Sequence, residues 1–178
     1  EMLEEIKPDA LIVAIGSSPF VLSIEGSERA IVAHDVLSEK VEVPGENVVI
    51  IGGGLVGFET AEFLAARQKK VTVLEMKEKA LQDLGPLRQI TAQFVMAQMP
   101  ITIETSATVE RIDDHAVVAS GKEYPYDSVI MAVGSKANDT SMYADLDIPT
   151  YIVGDCKKAG VALDAFKDAY HAVLEINK

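Results

Sequence analysis

A glycine-rich turn between a predicted strand and a predicted helix constrains this chain more than any other feature. Residues 52–57 have the sequence Gly-Gly-Gly-Leu-Val-Gly, which fits the pattern G-x-G-x-x-G. A β-branched segment, 47–51, precedes the turn, and a helix is expected over 55–67. The next predicted strand, 71–75, ends in Glu75, which lies 75 − 52 = 23 positions after the first glycine. An acid about 20 positions beyond that glycine is typical of dinucleotide-binding units, so the sequence predicts such a unit here.

Each glycine of the pattern has a predicted physical role. Gly52 allows a tight turn, Gly54 lets the backbone approach a pyrophosphate, and Gly57 lets the helix pack closely on the strand. The N-terminus of the helix offers unpaired N–H groups and a partial positive charge to phosphate groups. The turn residues predicted to contact a dinucleotide are Gly52, Gly53, Gly54, Leu55, Val56 and Gly57.

The acid at the end of the second strand predicts which nucleotide is preferred. Glu75 is expected to accept hydrogen bonds from the adenosine ribose hydroxyls and to repel a 2′-phosphate, which favours NAD(H) over NADP(H). Lys77 and Lys79 follow closely and moderate that preference. The alternative for the whole feature is a glycine-rich strand–helix turn that binds no ligand.

Composition and charge exclude several classes of function. The 178 residues carry a net charge of 16 − 28 = −12, which argues against binding to nucleic acid or to an anionic membrane. No run reaches the length of about 18 apolar residues that a transmembrane helix needs. The single cysteine, Cys156, excludes an internal disulfide framework, and the acidic N-terminus lacks a signal-peptide pattern. A cytoplasmic protein is therefore expected, and its abrupt start in a strand-like segment indicates a piece of a longer one.

The rest of the chain alternates predicted strands and helices, which indicates an α/β fold. Further buried strands are predicted over 10–15, 128–133 and 151–153, and a small antiparallel meander over 101–124. A helix is expected from Pro86 to near Pro100. Its apolar face is formed by Ile90, Phe94 and Ala97.

A final helix is predicted over residues 161–176, with an apolar stripe and an opposite polar face. The stripe consists of Ala162, Phe166, Ala169, Val173 and Ile176. The polar face consists of Asp164, Lys167, Asp168, His171, Glu175 and Lys178.

The sequence shows no arrangement of catalytic or metal-binding side chains. No Ser-His-Asp arrangement or C-x-x-C pair is visible, and the three histidines are scattered. We therefore predict no catalytic residue and no metal ligand. Glu59, two residues past the last glycine of the turn, is by itself an acid favoured by the helix dipole.

The order of these segments resembles a known family of flavoproteins. Two Ala-x-Gly segments, 14–16 and 132–134, bracket the glycine-rich unit, and Ile-Val-Gly-Asp-Cys at 152–156 precedes the last helix. This order resembles the pyridine nucleotide-disulphide oxidoreductase superfamily, whose members have two dinucleotide-binding domains. More narrowly, residues 153–156 and 163–172 resemble the C-terminal part of NADH:flavin oxidoreductases of the 2,4-dienoyl-CoA reductase and trimethylamine dehydrogenase type.

The resemblance implies a Rossmann-like FAD/NAD(P)-binding fold with three layers: a parallel sheet, helices and a small antiparallel meander. It implies an NAD(P)H-binding domain over 47–134, with 1–46 and 135–178 forming part of an FAD-binding-type domain and its connectors. Gly154 and Asp155 match the second flavin fingerprint of the family, where the acid contacts the ribityl or pyrophosphate region of FAD. Glu59 matches a position near the nicotinamide–flavin contact, and Gly134 a glycine that lines the nicotinamide cleft.

The chain lacks parts that complete members of this superfamily carry. No earlier G-x-G-x-x-G for the ADP part of FAD occurs before Gly16, and the FMN barrel and iron–sulfur cysteines that members of the narrower type carry are also absent. The resemblance thus implies a fragment of an enzyme in which NADH passes a hydride to a flavin, with the missing flavin and catalytic domains as partners. Two alternatives remain open: a stand-alone NAD-binding module without catalysis, and a fragment of an NADH oxidase or disulfide reductase.

Overall fold

The computed structural model describes residues 2–82 and 84–177, in which strands and helices alternate along the chain. The strands are β1 (Leu11–Val13), β2 (Ser17–Pro19), β3 (Ile31–Val32), β4 (Asn47–Ile51), β5 (Lys70–Leu74), β6 (Ile101–Glu104), β7 (Val109–Ile112), β8 (Ala116–Ala119), β9 (Lys122–Pro125), β10 (Ser128–Met131), β11 (Ser135–Ala137) and β12 (Thr150–Ile152). The α-helices are α1 (Met2–Ile6), α2 (Ala33–Leu37), α3 (Leu55–Ala65), α4 (Pro86–Met96) and α5 (Ala162–Ile176).

These elements divide into two compact units. One unit is Pro19–Gly134, and the other combines the described residues up to Ser18 with those from Ser135 onward. Residues 19–46, which the resemblance groups with the flavin-type connectors, lie in the first unit. They do so because β3 pairs with β10 in its sheet and α2 packs against α3.

The Pro19–Gly134 unit is built on a five-stranded parallel sheet with the strand order β3-β10-β4-β5-β6. Successive side chains of a strand point to opposite faces, so β4 is buried on both sides. Val48 and Ile50 pack with Leu64 of α3 on one face, whereas Val49 and Ile51 pack toward the β7–β9 sheet on the other. The result is the expected three-layer α/β arrangement of helices, parallel sheet and small antiparallel sheet.

The antiparallel meander is shorter than the sequence predicts. β7, β8 and β9 pair in antiparallel order, as expected. Residues 101–104, assigned by the sequence to the meander, instead form β6, which pairs in parallel with β5 at the edge of the central sheet. The apolar alternation of this short strand suits either sheet, and its position after α4 makes it the next strand of a parallel β-α-β crossover.

The other unit contains two small sheets and the last helix. β1 pairs in parallel with β12, and β2 pairs with β11. The predicted apolar stripe of α5 is exposed, since Phe166 is 75% and Val173 47% accessible. The helix buries Ala172 instead, and Asp168 from the predicted polar face bonds to Lys157 and to the Gly154 N–H.

Helix α4 shows the same departure from its sequence pattern. Ile90 and Phe94 of the predicted apolar face are 51% and 68% exposed, and the side chain that α4 buries is Ala92. Ala92 packs with Phe58 and Leu81 in a small cluster beside the glycine-rich turn. None of the helices within residues 2–82 and 84–177 has the length and apolar character needed to cross a membrane.

Candidate dinucleotide-binding site

The glycine-rich turn lies at the carboxyl edge of the parallel sheet, where β4 ends. The Gly52 N–H donates to the Leu74 carbonyl at 2.8 Å, so the turn begins against the end of β5. Gly52 has φ = +107°, and a Cβ atom there would lie 2.4 Å from the Ala132 carbonyl oxygen. Both observations require glycine at this position, because an L side chain is disfavoured in that conformation and would clash with backbone.

The other two glycines of the pattern differ in what surrounds them. A Cβ atom on Gly57 would lie 2.0 Å from the Gly52 carbonyl oxygen, so α3 approaches the turn too closely for any side chain. A Cβ atom on Gly54 would have no heavy atom within 4 Å. Gly54 therefore leaves open space at the start of α3, where a ligand can come near the backbone.

The start of α3 is free to bind an anion. Gly54 precedes the helix without a side-chain cap, and the first turn contains no acid. A helix leaves the N–H groups of its first turn unpaired and carries a partial positive charge at this end. Glu59 lies in the second turn of α3, which begins at Leu55, and is half-buried.

Glu75 follows β5 and is turned toward the glycine-rich turn. Its side chain is 7% exposed. One carboxylate oxygen accepts the Gly53 N–H at 2.7 Å, and the other accepts the Lys77 N–H at 2.8 Å. Charge-assisted bonds of this kind are short and strong, so the carboxylate is fixed in position. Each of its oxygens keeps a further lone pair for another donor.

The sequence predicted that Glu75 and the glycine-rich turn belong to one site, and the structure places them in direct contact. The two backbone hydrogen bonds that hold Glu75 were not part of that prediction. The one signal for them was the extra glycine at position 53, which the pattern G-x-G-x-x-G does not require.

A groove of about 680 Å³ opens beside this contact. Its lining comes from the segment after β5, from α4 and from the end of β6, and includes Lys79, Leu81, Gln93, Met96 and Thr105. The Leu81 N–H donates to the Gly53 carbonyl at 2.9 Å, which ties the wall of the groove to the turn. The groove thus offers mixed apolar and polar contacts next to the glycine-rich turn.

Gly134, the last residue of this unit, also lies near the carboxyl edge of the sheet. It comes two residues after Ala132, whose carbonyl oxygen lies against Gly52. A Cβ atom on Gly134 would meet nothing within 4 Å, and its carbonyl accepts the Phe20 N–H at 2.9 Å.

The two residues matched to a flavin fingerprint, Gly154 and Asp155, lie in the other unit. The Asp155 carboxylate accepts the Ser17 hydroxyl at 3.0 Å and the Gly160 N–H at 3.3 Å. The Gly154 N–H donates to Asp168 at 3.2 Å. A hydrogen bond from the Lys157 ammonium, supported by this N–H, lowers the pKa of Asp168.

The comparison with known families agrees with this geometry. A family model described as pyridine nucleotide-disulphide oxidoreductase matches residues 2–161. The chain belongs to this family. The resemblance stated from the sequence is confirmed at the level of the superfamily.

Individual relatives in this family are oxidoreductases. The chain is 34% identical to a cinnamate reductase from Clostridium sporogenes and 32% identical to an NADH oxidase from Thermoanaerobacter brockii, over 99% of its own length in each case. Among solved structures, it is similar to a 2-naphthoyl-CoA reductase in complex with 2-naphthoyl-CoA, with a TM-score of 0.83 and 31% identity over 94% of this chain.

The chain matches only part of each of those relatives. The chain spans 28% and 29% of the two curated relatives and 27% of the 2-naphthoyl-CoA reductase chain. The relatives support an oxidoreductase family without singling out the 2,4-dienoyl-CoA reductase type.

Proposed function

We propose that this chain binds NAD(H) across residues 52–57 and serves as the NAD(H)-binding part of a flavin-dependent oxidoreductase. The observation that carries the proposal is the pairing of open backbone at Gly54 with a carboxylate, Glu75, fixed beside it. A dinucleotide needs both features, since its diphosphate requires N–H donors and its adenosine ribose requires an acceptor.

The residues of the site fit this ligand one by one. The first N–H groups of α3 bind the diphosphate, and Gly54 gives it access to the backbone. Glu75 accepts hydrogen bonds from the ribose hydroxyls through its remaining lone pairs. The negative charge of Glu75 repels a 2′-phosphate, which favours NADH over NADPH. The groove beside Leu81 and Met96 holds the adenine.

NADH held by the residues of this turn would supply a hydride to a flavin, so that NADH would be oxidised and the flavin reduced. The residues of this chain bind and orient the nucleotide and exclude water from it. Gly134 and Glu59 are proposed to line the nicotinamide end of the site. Gly154 and Asp155 are proposed to hold part of FAD, whose other contacts come from further domains of the whole protein.

The relatives support assigning nucleotide binding to this chain and the electron acceptor to other domains. A bilirubin reductase from Mediterraneibacter gnavus is 34% identical over 97% of this chain. The cinnamate reductase and the bilirubin reductase are named for different acceptors and the NADH oxidase for its nucleotide, yet all three share this segment to a similar degree. The shared segment thus fits nucleotide handling, and the acceptor is handled elsewhere. We further propose a parent of the 2,4-dienoyl-CoA reductase or trimethylamine dehydrogenase type, on the sequence of residues 153–172.

Calorimetric titration of the chain with NADH, NADPH and FAD tests the proposal. NADH should bind more tightly than NADPH, and Glu75→Ala should weaken NADH binding by about 1–3 kcal/mol, because a buried acceptor is lost. Glu123→Ala is the matched control, since it removes one exposed carboxylate on β9. The proposal would be contradicted if the chain bound neither nicotinamide nucleotide, or if it bound NADPH with a micromolar dissociation constant and more tightly than NADH.

A further inference from the structure

Gly53 occupies the position of the pattern that is free to vary, yet the structure surrounds it closely. It is buried, its N–H donates to Glu75 at 2.7 Å, and its carbonyl accepts the Leu81 N–H at 2.9 Å. Its φ lies outside the left-handed region, unlike that of Gly52. Backbone conformation therefore does not explain why this position lacks a side chain.

Contact with Glu75 does explain it. A Cβ atom on Gly53 would lie 2.9 Å from Glu75 Cβ and 3.0 Å from Glu75 Oε2, and 3.3 Å from Ala80 Cβ. These obstacles are mainly atoms of one side chain, whereas at Gly52 and Gly57 the obstacle is a backbone carbonyl. A side chain at position 53 would thus occupy the space that the Glu75 side chain now fills.

The backbone on the Glu75 side is held in place, which fixes Glu75 Cβ, so an added Cβ atom at position 53 must shift the turn as well as the Glu75 carboxylate. The Glu75 N–H donates to the Glu104 carbonyl at 2.9 Å, and the Glu75 carbonyl accepts the Ala107 N–H at 2.9 Å. An added methyl group at position 53 would push the turn away from Glu75 Cβ, 2.9 Å from the new atom, and turn the carboxylate, 3.0 Å from it, away from the Gly53 N–H. The hydrogen bond that fixes the carboxylate at the turn would then be lost.

We infer that Gly53 is a specificity-determining position, an inference that rests on the proposed NAD(H) binding. Gly53 sets the preference for NADH over NADPH because it lets the Glu75 carboxylate lie at the ribose. Gly53 is a positioning residue, because it acts through Glu75. A displaced carboxylate would both lose the ribose hydroxyls of NADH and stop repelling the 2′-phosphate of NADPH. NADH binding becomes weaker and NADPH binding becomes tighter. The ratio of the two dissociation constants therefore changes more than either constant does alone.

The test compares two single-methyl variants of the full chain by calorimetry with NADH and NADPH. Gly53→Ala should lower the ratio of the NADPH and NADH dissociation constants by about tenfold or more, the size of one charge-assisted hydrogen bond. Gly54→Ala is the matched control, because its methyl group enters open space and blocks both nucleotides alike. It should weaken both and leave the ratio unchanged.

Glu75→Asp gives a second test that adds no group to the turn. Its carboxylate keeps its charge but is one methylene shorter, so it should also lose the Gly53 N–H and lower the ratio. Thermal unfolding shows whether Gly53→Ala and Glu75→Asp are folded. If one of them fails to fold, the ratio measured for the other tests the role of Gly53.

The outcomes separate the two proposals. If the native chain does not bind NADH selectively, the proposed function fails. If the native chain is selective and the folded Gly53→Ala or Glu75→Asp variant keeps the native ratio, the role of Gly53 is wrong while the proposed function stands. In the Glu75→Ala background, which has no acceptor left to position, Gly53→Ala should change the ratio no further, and a full additional loss would show that Gly53 does not act through the carboxylate.

Discussion

The close contact between α3 and the glycine-rich turn makes a quantitative prediction for Gly57→Ala. A Cβ atom at position 57 would lie 2.0 Å from the Gly52 carbonyl oxygen, and real Cβ atoms keep at least 3.0 Å from such an atom. Helix and turn must therefore separate by 3.0 − 2.0 = 1.0 Å. That shift loosens the packing of Ala61 and Leu64 against Ile50, which are all buried.

The expected cost follows from two opposing terms. Overpacking a well-packed interior typically costs about 1–3 kcal/mol, and the upper part of that range applies because the obstacle is backbone. Alanine offsets up to about 1 kcal/mol through its higher helix propensity. The free energy of unfolding should thus fall by about 2 kcal/mol, which lowers the melting temperature by about 4–8 °C in a chain of this size.

Urea unfolding followed by circular dichroism measures this change. Gly54→Ala and Gly85→Ala are matched controls, since both positions precede a helix and both have open space around the added methyl group. Each control should change the free energy of unfolding by less than about 1 kcal/mol. A Gly57→Ala variant as stable as the controls would refute the close packing of α3 on the Gly52 carbonyl.

Three further predictions test the core, an exposed face and an ionised group. Ile50→Ala should lower the free energy of unfolding by about 2–5 kcal/mol in urea titrations, because Ile50 is fully buried in the central sheet. Phe166→Ala should change it by less than about 0.5 kcal/mol despite the apolar pattern of α5, because Phe166 is 75% exposed. The N–H groups of Asn47 and Glu46 lower the pKa of Asp127 from 3.8, so its stabilising effect is complete above that value and is lost as the pH falls through the lower folded pKa. Asp127→Asn should therefore reduce the dependence of stability on pH below about 4, as measured by unfolding at a series of pH values.

The sequence predicted those elements whose own residues determine their environment. β4 is β-branched throughout and ends in glycine, and it is found at 47–51 as expected. The boundaries of α3 and β5 are within two residues of the prediction, since the glycine-rich turn fixes where α3 begins and β5 contains a β-branched run, 71–73, followed by Leu74. Local chemistry was sufficient in these cases.

Amphipathic periodicity was a weaker guide for α4 and α5. The apolar residues of each helix recur at helical spacing, as predicted, yet Phe94 and Phe166 are exposed, and each helix buries an alanine instead. Periodicity shows that one face is apolar but contains no information about which surface the helix packs on. The face of α5 that carries Ala172 is the buried one. Asp168 anchors the helix by accepting the Gly154 N–H, a contact between separate segments that the periodicity of the helix does not encode.

The glycine-rich turn shows why a sequence pattern underdescribes a site. Gly52 is required by its conformation and Gly57 by the approach of α3, whereas the space around Gly54 is open. Gly53, which the pattern leaves variable, is required by Glu75, a residue 22 positions away. The pattern and the acid are therefore not two independent signals of nucleotide binding, because the choice of residue inside the turn determines where the acid can lie. If the proposed NAD(H) binding holds, we expect nucleotide preference to depend on the pair Gly53–Glu75, so the acid alone would be an incomplete predictor of NADH selectivity.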